Sequence, residues 1–132
     1  NLKLMLNGIN RGWFPPLPYT NNKRSMVHVD DLARCILFLD NSESSDKQIY
    51  TLTDNQEYSS SEIYDILCRV FGKKVKKIRF PMILFTFMSL IHPSIRYKLN
   101  KLLGNETFSC SKIISSGFEP QKTLRHINET NY

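Results

Sequence analysis

The stretch KRSMVHVDDLARCILFL, residues 23–39, places a short apolar segment directly before an amphipathic helix. Residues 25–29 predict a short buried strand, because they are mostly apolar and follow a polar turn. Asp30 and Asp31 come next, and either carboxylate can accept a hydrogen bond from the free N–H groups of a first helical turn. The apolar stripe of the predicted helix consists of Leu32, Cys35, Ile36 and Leu39. A strand, an acidic cap and a helix therefore follow one another with almost no linker.

The chain ahead of this stretch predicts a helix and then an extended loop. Residues 1–11 have apolar side chains at helical spacing, and Gly12 follows where a helix would end. Residues 13–18 (the proline loop) include three prolines, which remove backbone donors and restrict φ, so this segment is neither a helix nor an interior strand. Because the chain opens inside a helix without a methionine or a cap, we expect residue 1 to lie within a longer protein.

The chain after this stretch predicts a second strand and a well-capped helix. Residues 48–53 have the composition of a strand, and Ser59 with Glu62 offers a capping box for a helix over residues 63–70. Gly72 follows where this helix would stop.

The second half of the chain predicts one basic strand and several helices. Residues 73–80 place cations on both faces of a strand, which is typical of an edge strand or a partly solvated one. Helical segments are predicted over residues 80–91, 94–103, 111–116 and 122–128. We expect residues 80–91 to pack on the core rather than on a membrane surface, because this segment lacks the basic face of an interfacial helix.

Composition places the chain among ordinary globular proteins. It has 132 residues, of which 41% are hydrophobic and 23% charged, and this fits one α/β domain without repeats or linkers. Three cysteines without a CxxC pair predict a reducing compartment. The chain has no signal segment and no apolar run of about 20 residues, so we expect a soluble cytoplasmic protein without a membrane span.

The charge and the motifs restrict the function classes. A net charge of +6 raises the question of an anionic partner, but the basic run 73–79 has no aromatic platform beside it, so a solvated edge is favoured over nucleic-acid binding. The five glycines form no phosphate-binding loop, and the three histidines have no metal-ligand spacing. Two YxxxK strings, at residues 19–23 and 97–101, lack the cofactor-binding unit that would make them catalytic. We therefore predict no catalytic, metal or cofactor-binding residue in this chain.

Three stretches together resemble the C-terminal half of the extended short-chain dehydrogenases/reductases, the family of NAD-dependent nucleotide-sugar epimerases and dehydratases. Residues 23–33, KRSMVHVDDLA, are similar to the family's R-S/D-x-V-H-V-x-D-L-A signature. Residues 51–64 resemble its strand-to-helix connection. Residues 111–124, with SKI, GFEP and TL, resemble its closing segment. The resemblance runs over nearly the whole chain and is weakest over residues 80–106.

The resemblance implies a set of substrate-binding residues. Asn1 and Leu2 stand where the family's asparagine-leucine pair opens a helix and contacts the nucleotide. Arg24 matches the family's diphosphate-binding arginine, and Arg96 is a candidate for a second one. The uracil would lie along residues 14–18, with Phe14, Pro16, Leu17 and Pro18 as candidate contacts.

The resemblance implies a UDP-sugar-binding domain over residues 1–132, with NAD and the catalytic Tyr/Lys pair held by a missing N-terminal Rossmann half. The implied activity is 4-epimerisation of UDP-glucose or UDP-N-acetylglucosamine in surface-polysaccharide synthesis by an enzyme that is a homodimer at full length. Two alternatives stay open: a nucleotide-sugar dehydratase or reductase of the same family, and a non-enzymatic basic binding module. The chain alone is expected to be inactive.

Overall fold

The structure is a computed structural model that describes residues 2–42, 47–75, 79–91 and 93–127. The described chain divides into two compact units. Unit 1 comprises residues 2–24 and 58–105, and unit 2 comprises residues 25–57 and 106–127. The described residues are mainly helical with one small two-stranded sheet, which agrees with the coarse α/β class.

The elements follow one another in the order helix, strand, helix, strand and four helices, with a final 3₁₀ helix. Their bounds are α1 Leu2–Asn10, β1 Arg24–Ser25, α2 Val29–Asp40, β2 Glu57–Tyr58, α3 Ser60–Val70, α4 Met82–Ile91, α5 Pro93–Leu103, α6 Ser111–Ser115 and the 3₁₀ helix Leu124–His126. β1 pairs with β2. The predicted helices thus form with nearly the expected bounds, except for the last one.

The core of unit 1 forms around α3. The capping box predicted from the sequence is confirmed: Ser59 Oγ accepts from the Glu62 N–H at 3.1 Å, and the Glu62 carboxylate accepts from the Ser59 N–H at 2.7 Å. The buried apolar side chains of α3 are Ile63, Tyr64, Ile66, Leu67 and Cys68. α1 packs on α3 through its own buried side chains, Met5, Leu6 and Ile9. The two amphipathic helices therefore bury their apolar faces together.

A turn after α1 directs the chain into the proline loop. Gly12 adopts a φ of +77°, which favours glycine, and ends the helix as predicted. The N–H groups of Trp13 and Phe14 both donate to the Gly8 carbonyl at 3.1 Å. A Cβ on Gly8 would lie only 3.0 Å from the Phe14 Cβ, so the loop needs a glycine at this position to approach the helix.

Unit 2 is held together by buried aspartates and a small apolar cluster. The cap of α2 differs from the prediction, because His28 Nδ1 accepts from the Asp30 N–H at 3.2 Å and neither aspartate caps the helix. Asp31 is instead buried and accepts hydrogen bonds from the N–H groups of Gln121 and Lys122 at 3.0 and 2.7 Å. The apolar cluster consists of Cys35, Cys110, Ile113 and Phe118.

The strand predictions were largely wrong. β1 includes only Ser25 of the predicted strand 25–29, and residues 48–53 form no strand. Residues 25–29 make single backbone bonds to other parts of unit 2, such as Ser25 N–H to the Glu106 carbonyl at 3.0 Å and Asp54 N–H to the Met26 carbonyl at 2.8 Å. A ladder needs a partner with matching register over several residues.

Two further predictions concern the basic segment and the last helix. Residues 73–75 and 79–80 are not in a strand, and residues 76–78 lie outside the described residues. Only a 3₁₀ helix forms within the predicted helix 122–128, of which residue 128 lies outside the described residues. Its start is fixed by Thr123, whose Oγ1 accepts from the Arg125 N–H and whose N–H donates to His126 Nδ1 at 3.0 Å. These local bonds produce a single tight turn.

The prediction that residues 80–91 pack on the core was wrong. Among the α4 side chains that the structure describes, only Phe85 is buried. Ile83, Phe87 and Leu90 are 62%, 61% and 74% exposed. The neighbour of α4 is α5, and one helix cannot cover the whole circumference of an apolar neighbour. None of the described helices has both the length and the apolar character required to cross a bilayer.

Candidate functional site

The side chains of the proline loop point mainly into the interior of unit 1. Pro16, Leu17 and Pro18 are buried, and Leu17 is fully inaccessible to solvent. Phe14 is half-buried and stacks on Tyr64 of α3, with ring centroids 6.2 Å apart and an interplanar angle of 25°. The side chains of Pro16, Leu17 and Pro18 are therefore not available on the surface of the loop.

Arg79 binds this loop to α3. Its Nη2 donates to both carboxylate oxygens of Asp65 at 2.7 and 2.6 Å, and its Nη1 donates to the Leu17 carbonyl at 3.4 Å. The guanidinium lies 4.8 Å from the ring centroid of Tyr19 and 5.7 Å from that of Tyr64. Among the described residues, its buried Nε has no hydrogen-bond partner. A desolvated cation between two aromatic rings and a carboxylate gives this part of unit 1 a fixed geometry.

The pKa shifts in this cluster favour fixed protonation states. Burial acts to lower the pKa of Arg79, but the hydrogen bond and charge of Asp65 outweigh it and raise that pKa. Burial, together with a hydrogen bond to Cys68, raises the pKa of Tyr64 to about 12. At neutral pH the cluster therefore consists of a permanent cation and a neutral phenol, which suits positioning of the loop rather than proton transfer.

Arg24 lies at the C-terminal end of α5. Its Nη1 donates to the carbonyls of Lys101 and Leu102, the latter at 3.5 Å. A cation at this position is favourable because the last carbonyls of a helix are left without intrahelical donors and carry partial negative charge. These bonds orient the guanidinium, and a fork of donors held in one orientation suits a pair of phosphate oxygens.

Asn22 reinforces this position from the neighbouring turn. Its Oδ1 accepts from the Ser60 N–H at 3.0 Å, and its Nδ2 donates to Ser60 Oγ at 2.9 Å and to the Gly104 carbonyl at 3.1 Å. The buried amide thus joins the start of α3 to the chain just after α5. The sequence does not indicate this role, because an asparagine in a polar turn has no pattern that marks it as buried.

The remaining predicted residues lie at different places of unit 1. Leu2 is half-buried at the start of α1, and Arg96 is exposed on α5. Asn1 lies outside the described residues. Arg96 lies within α5, and Arg24 binds the C-terminal end of the same helix. Phe14 contacts α3 instead, and Leu17 contacts Arg79.

The pattern of the sequence did not predict that Arg79 and Tyr19 lie together. Arg79 was predicted to lie in a solvated strand, and Tyr19 in a YxxxK string without function. The signal that points to them is Asp65, which stands among the apolar positions of α3. A carboxylate that is half-buried on a helix favours a cationic partner, because partial burial of an unpaired charge is unfavourable.

Unit 2 joins parts of the three stretches 23–33, 51–64 and 111–124. Asp31 of the first stretch binds the N–H groups of Gln121 and Lys122 in the closing stretch. Asp54, in the middle stretch, accepts from the Leu124 N–H at 3.3 Å. On the surface, Lys122 pairs with Asp30 and, by its hydrogen bond, lowers the pKa of that carboxyl.

Metal ligation receives no support from the residue types brought together. Within residues 2–42, 47–75, 79–91 and 93–127, no three His, Cys, Asp or Glu side chains are grouped closely enough to hold a metal ion. Cys35, Cys68 and Cys110 are buried and form no disulfide, and burial raises the pKa of the Cys35 thiol. These cysteines fill the cores of the units that contain them.

Comparison with known proteins gives one match. The chain is 26% identical over 140 aligned positions to the uncharacterized protein y4nL of Sinorhizobium fredii, and the match includes 92% of this chain. The chain spans 39% of the length of that relative. No family model matches the chain, and no solved structure matches it.

Proposed function

We propose that this chain is the UDP-sugar-binding region of an NAD-dependent nucleotide-sugar 4-epimerase, an extended short-chain dehydrogenase/reductase that acts on UDP-glucose or UDP-N-acetylglucosamine in surface-polysaccharide synthesis. The observation that carries the proposal is the joining of the three family-like stretches in unit 2 through the buried carboxylates of Asp31 and Asp54. These contacts support the proposal because stretches that are far apart in sequence but form one family-like fold are expected to contact one another.

The proposed nucleotide site uses Arg24 and the proline loop. Arg24 binds the diphosphate, since the carbonyls of Lys101 and Leu102 orient its guanidinium. Backbone groups of residues 14–18 contact the uracil edge, and the buried Leu17 together with Arg79 keeps this segment in one conformation. A preorganised loop loses little entropy on binding, which favours affinity for a small ligand. Leu2, Arg96 and Asn1 complete the proposed set.

The glycines of this chain do not fit NAD. Gly8, Gly12, Gly72, Gly104 and Gly117 stand at or beside helix ends or inside α1, and no strand leads through a glycine loop into a helix among the described residues. We therefore assign NAD, which supplies hydride transfer at the sugar when bound, and the catalytic Tyr/Lys pair to a Rossmann half outside this chain. The chain by itself is expected to be catalytically inactive.

An exposed apolar face on α2 supports such a missing half. Val29, Leu32 and Ile36 are 62%, 43% and 59% exposed and lie on one side of the helix. Contiguous apolar surface on a helix favours burial against another element. We propose that the N-terminal Rossmann half covers this face in a cytoplasmic enzyme that is a homodimer at full length.

Calorimetric titration of the chain with UDP and UDP-N-acetylglucosamine tests the proposal. Binding of both ligands is expected, with loss in Arg24→Ala and partial loss in Arg24→Lys, because lysine keeps the charge but not the fork of donors. Arg125→Ala, which removes an exposed cation of unit 2, serves as the matched control and should bind normally. Thermal unfolding of each variant separates lost binding from lost folding.

Two outcomes would contradict the proposed site. One is absence of UDP binding by the wild-type chain, and the other is binding that Arg24→Ala leaves unchanged. A short oligonucleotide titrated at two salt concentrations distinguishes the alternative of a basic binding module. Strong, salt-sensitive oligonucleotide binding without UDP binding would favour that alternative, because each neutralised phosphate releases counterions.

A further inference from the structure

The exposed side of α4 is an apolar surface within unit 1. Ile83, Phe87 and Leu90 follow the spacing i, i+4, i+7, so they lie along one face of the helix, and each is more than half exposed. Phe80, Met82 and Leu84 add further apolar area, each being 43–44% exposed. This surface is too apolar to be an ordinary solvated helix face.

α4 has no basic side chain, but the neighbouring helix α5 has several. α4 packs on α5, which begins two residues after α4 ends. Arg96, Lys98 and Lys101 are exposed on α5, together with Tyr97, which is 68% exposed. An apolar helix with cations and an amphipathic aromatic residue beside it is the combination found in interfacial membrane helices.

The positive charge of the chain is concentrated in the stretch of sequence that includes this helix pair. Residues 66–105 contain nine of the eighteen Lys and Arg residues and none of the twelve acids. This stretch therefore carries a formal charge of +9, whereas the rest of the chain carries −3. Three of these cations, Arg96, Lys98 and Lys101, lie on α5 itself, whereas Arg79 is paired with Asp65.

We propose that the α4–α5 pair docks this chain on the surface of an anionic lipid bilayer. Ile83, Phe87 and Leu90 enter the boundary between headgroups and acyl chains, while Lys98 and Lys101 contact lipid phosphates. An open cavity of about 350 Å³ between the same helices, lined by Phe85, Leu99 and Leu103 among others, adds apolar surface next to this face.

The charge distribution favours a bilayer over two other occupants. A second copy of the chain would bring two strongly basic surfaces together, which is unfavourable. A nucleic acid would satisfy the cations but leave Ile83, Phe87 and Leu90 in water. The docking is peripheral, because α4 has ten residues and a helix of that length spans about 15 Å, roughly half of the hydrocarbon core.

Co-sedimentation of the chain with vesicles tests this docking. Vesicles of phosphatidylcholine alone and of phosphatidylcholine with phosphatidylglycerol are compared at two salt concentrations. We expect binding to the anionic vesicles that weakens with salt, and a decrease of about tenfold or more in Phe87→Glu/Leu90→Glu and in Lys98→Glu/Lys101→Glu. Ile49→Glu, at a site of unit 2 that is 87% exposed, and Arg125→Glu are the matched controls and should bind as the wild type.

A second measurement reports insertion without relying on disruptive variants. An environment-sensitive fluorophore attached at Leu90→Cys should shift to the blue and brighten on anionic vesicles, whereas the same probe at Ile49→Cys should not. The three native cysteines are buried, which limits their labelling. This readout does not involve UDP, so its failure is distinguishable from failure of the proposed nucleotide site.

Three results would overturn the docking. One is absence of binding to anionic vesicles. Another is equal loss of binding in the unit 2 controls, which would indicate non-specific charge attraction. The third is an oligonucleotide that binds in preference to the vesicles, or a dimer that Phe87→Glu/Leu90→Glu dissociates, since either would assign the α4–α5 surface to a different partner.

Discussion

The helices α3 and α4 have nearly the same length, eleven and ten residues, yet the more apolar of the two is the more exposed. α3 has charged side chains on one side and buries the other, so that Leu67 is fully inaccessible. α4 has no charged side chain and exposes Phe87 and Leu90. Hydrophobicity alone therefore did not decide burial in this protein.

Complementary neighbours explain the difference. α3 meets a second amphipathic helix, α1, and its start is fixed by a capping box. The half-buried carboxylate of Asp65 on α3 forms an ion pair with Arg79, so its charge is compensated. α4 packs mainly on α5, whose exposed side is basic. An apolar helix that is covered mainly by one neighbour keeps part of its surface available for another partner.

The largest loss of stability is expected when a buried side chain of α3 is shortened. Leu67→Ala should destabilise the chain by about 2–5 kcal/mol, because it removes buried methyl groups and leaves a cavity. Urea unfolding followed by circular dichroism measures this change. Leu67→Met, which nearly conserves volume, should cost less than about 1.5 kcal/mol. Equal stability of Leu67→Ala and the wild type would place α3 outside the core.

Tyr64 should make the stability of the chain sensitive to high pH. An unfolded tyrosine ionises near pH 10, whereas the folded pKa of Tyr64 is about 12, so its contribution is constant below pH 10 and is lost as the pH rises towards 12. The loss should amount to about 1–3 kcal/mol, since each pKa unit corresponds to about 1.4 kcal/mol. Urea unfolding at pH 9 and pH 11.5 measures it.

Matched variants isolate this group from the other tyrosines and lysines. Tyr64→Phe should flatten the fall in stability between the two pH values, whereas Tyr97→Phe, at an exposed site of α5, should leave it unchanged. If Tyr97→Phe flattened the curve as much as Tyr64→Phe, burial of Tyr64 would not be the cause.

The cap of α3 should have a smaller effect. Ser59→Ala removes the acceptor for the Glu62 N–H and should destabilise the chain by about 1 kcal/mol. Ser59→Asp retains an acceptor and should recover most of this stability. A stability of Ser59→Asp no better than that of Ser59→Ala would show that the side-chain acceptor does not matter at this position. Urea unfolding of the two variants at neutral pH gives the comparison.

The smallest effect on folding is expected on α4. Leu90→Ala should change the free energy of unfolding by less than about 0.5 kcal/mol, because the side chain is already 74% exposed. The same substitution should weaken binding to anionic vesicles. A destabilisation comparable to that of Leu67→Ala would mean that α4 is buried in solution, against both the observed exposure and the proposed docking.

Most helices of this chain were predictable because their signals are local. Ser59 and Glu62 lie three residues apart and satisfy each other's backbone groups, and Gly12 and Gly72 supply the positive φ that ends a helix. The strands were not predictable to the same extent. An apolar segment such as residues 25–29 becomes a strand only where another segment pairs with it, and pairing depends on distant chain.

In the candidate site, too, residues with a local sequence signal were predictable and residues paired across the chain were not. Arg24 was found through a motif of contiguous residues, whereas the buried pairing of Arg79 with Asp65 joins positions fourteen residues apart and has no local signature. Asp31 was predicted as a helix cap, but the structure uses its carboxylate to bind the backbone of Gln121 and Lys122. His28 takes the capping role instead.

By itself, the sequence determined the positions of most helices, the cap of α3, the stops at Gly12 and Gly72, and the concentration of positive charge in residues 66–105. These depend on neighbouring residues or on composition, which the chain specifies without knowledge of its fold. The tertiary structure decided which apolar faces are buried, which carboxylates find buried donors, and which extended segments pair. Burial and buried hydrogen bonds require two surfaces to meet, and for α3 and α4 that requirement outweighed the hydrophobicity of either helix.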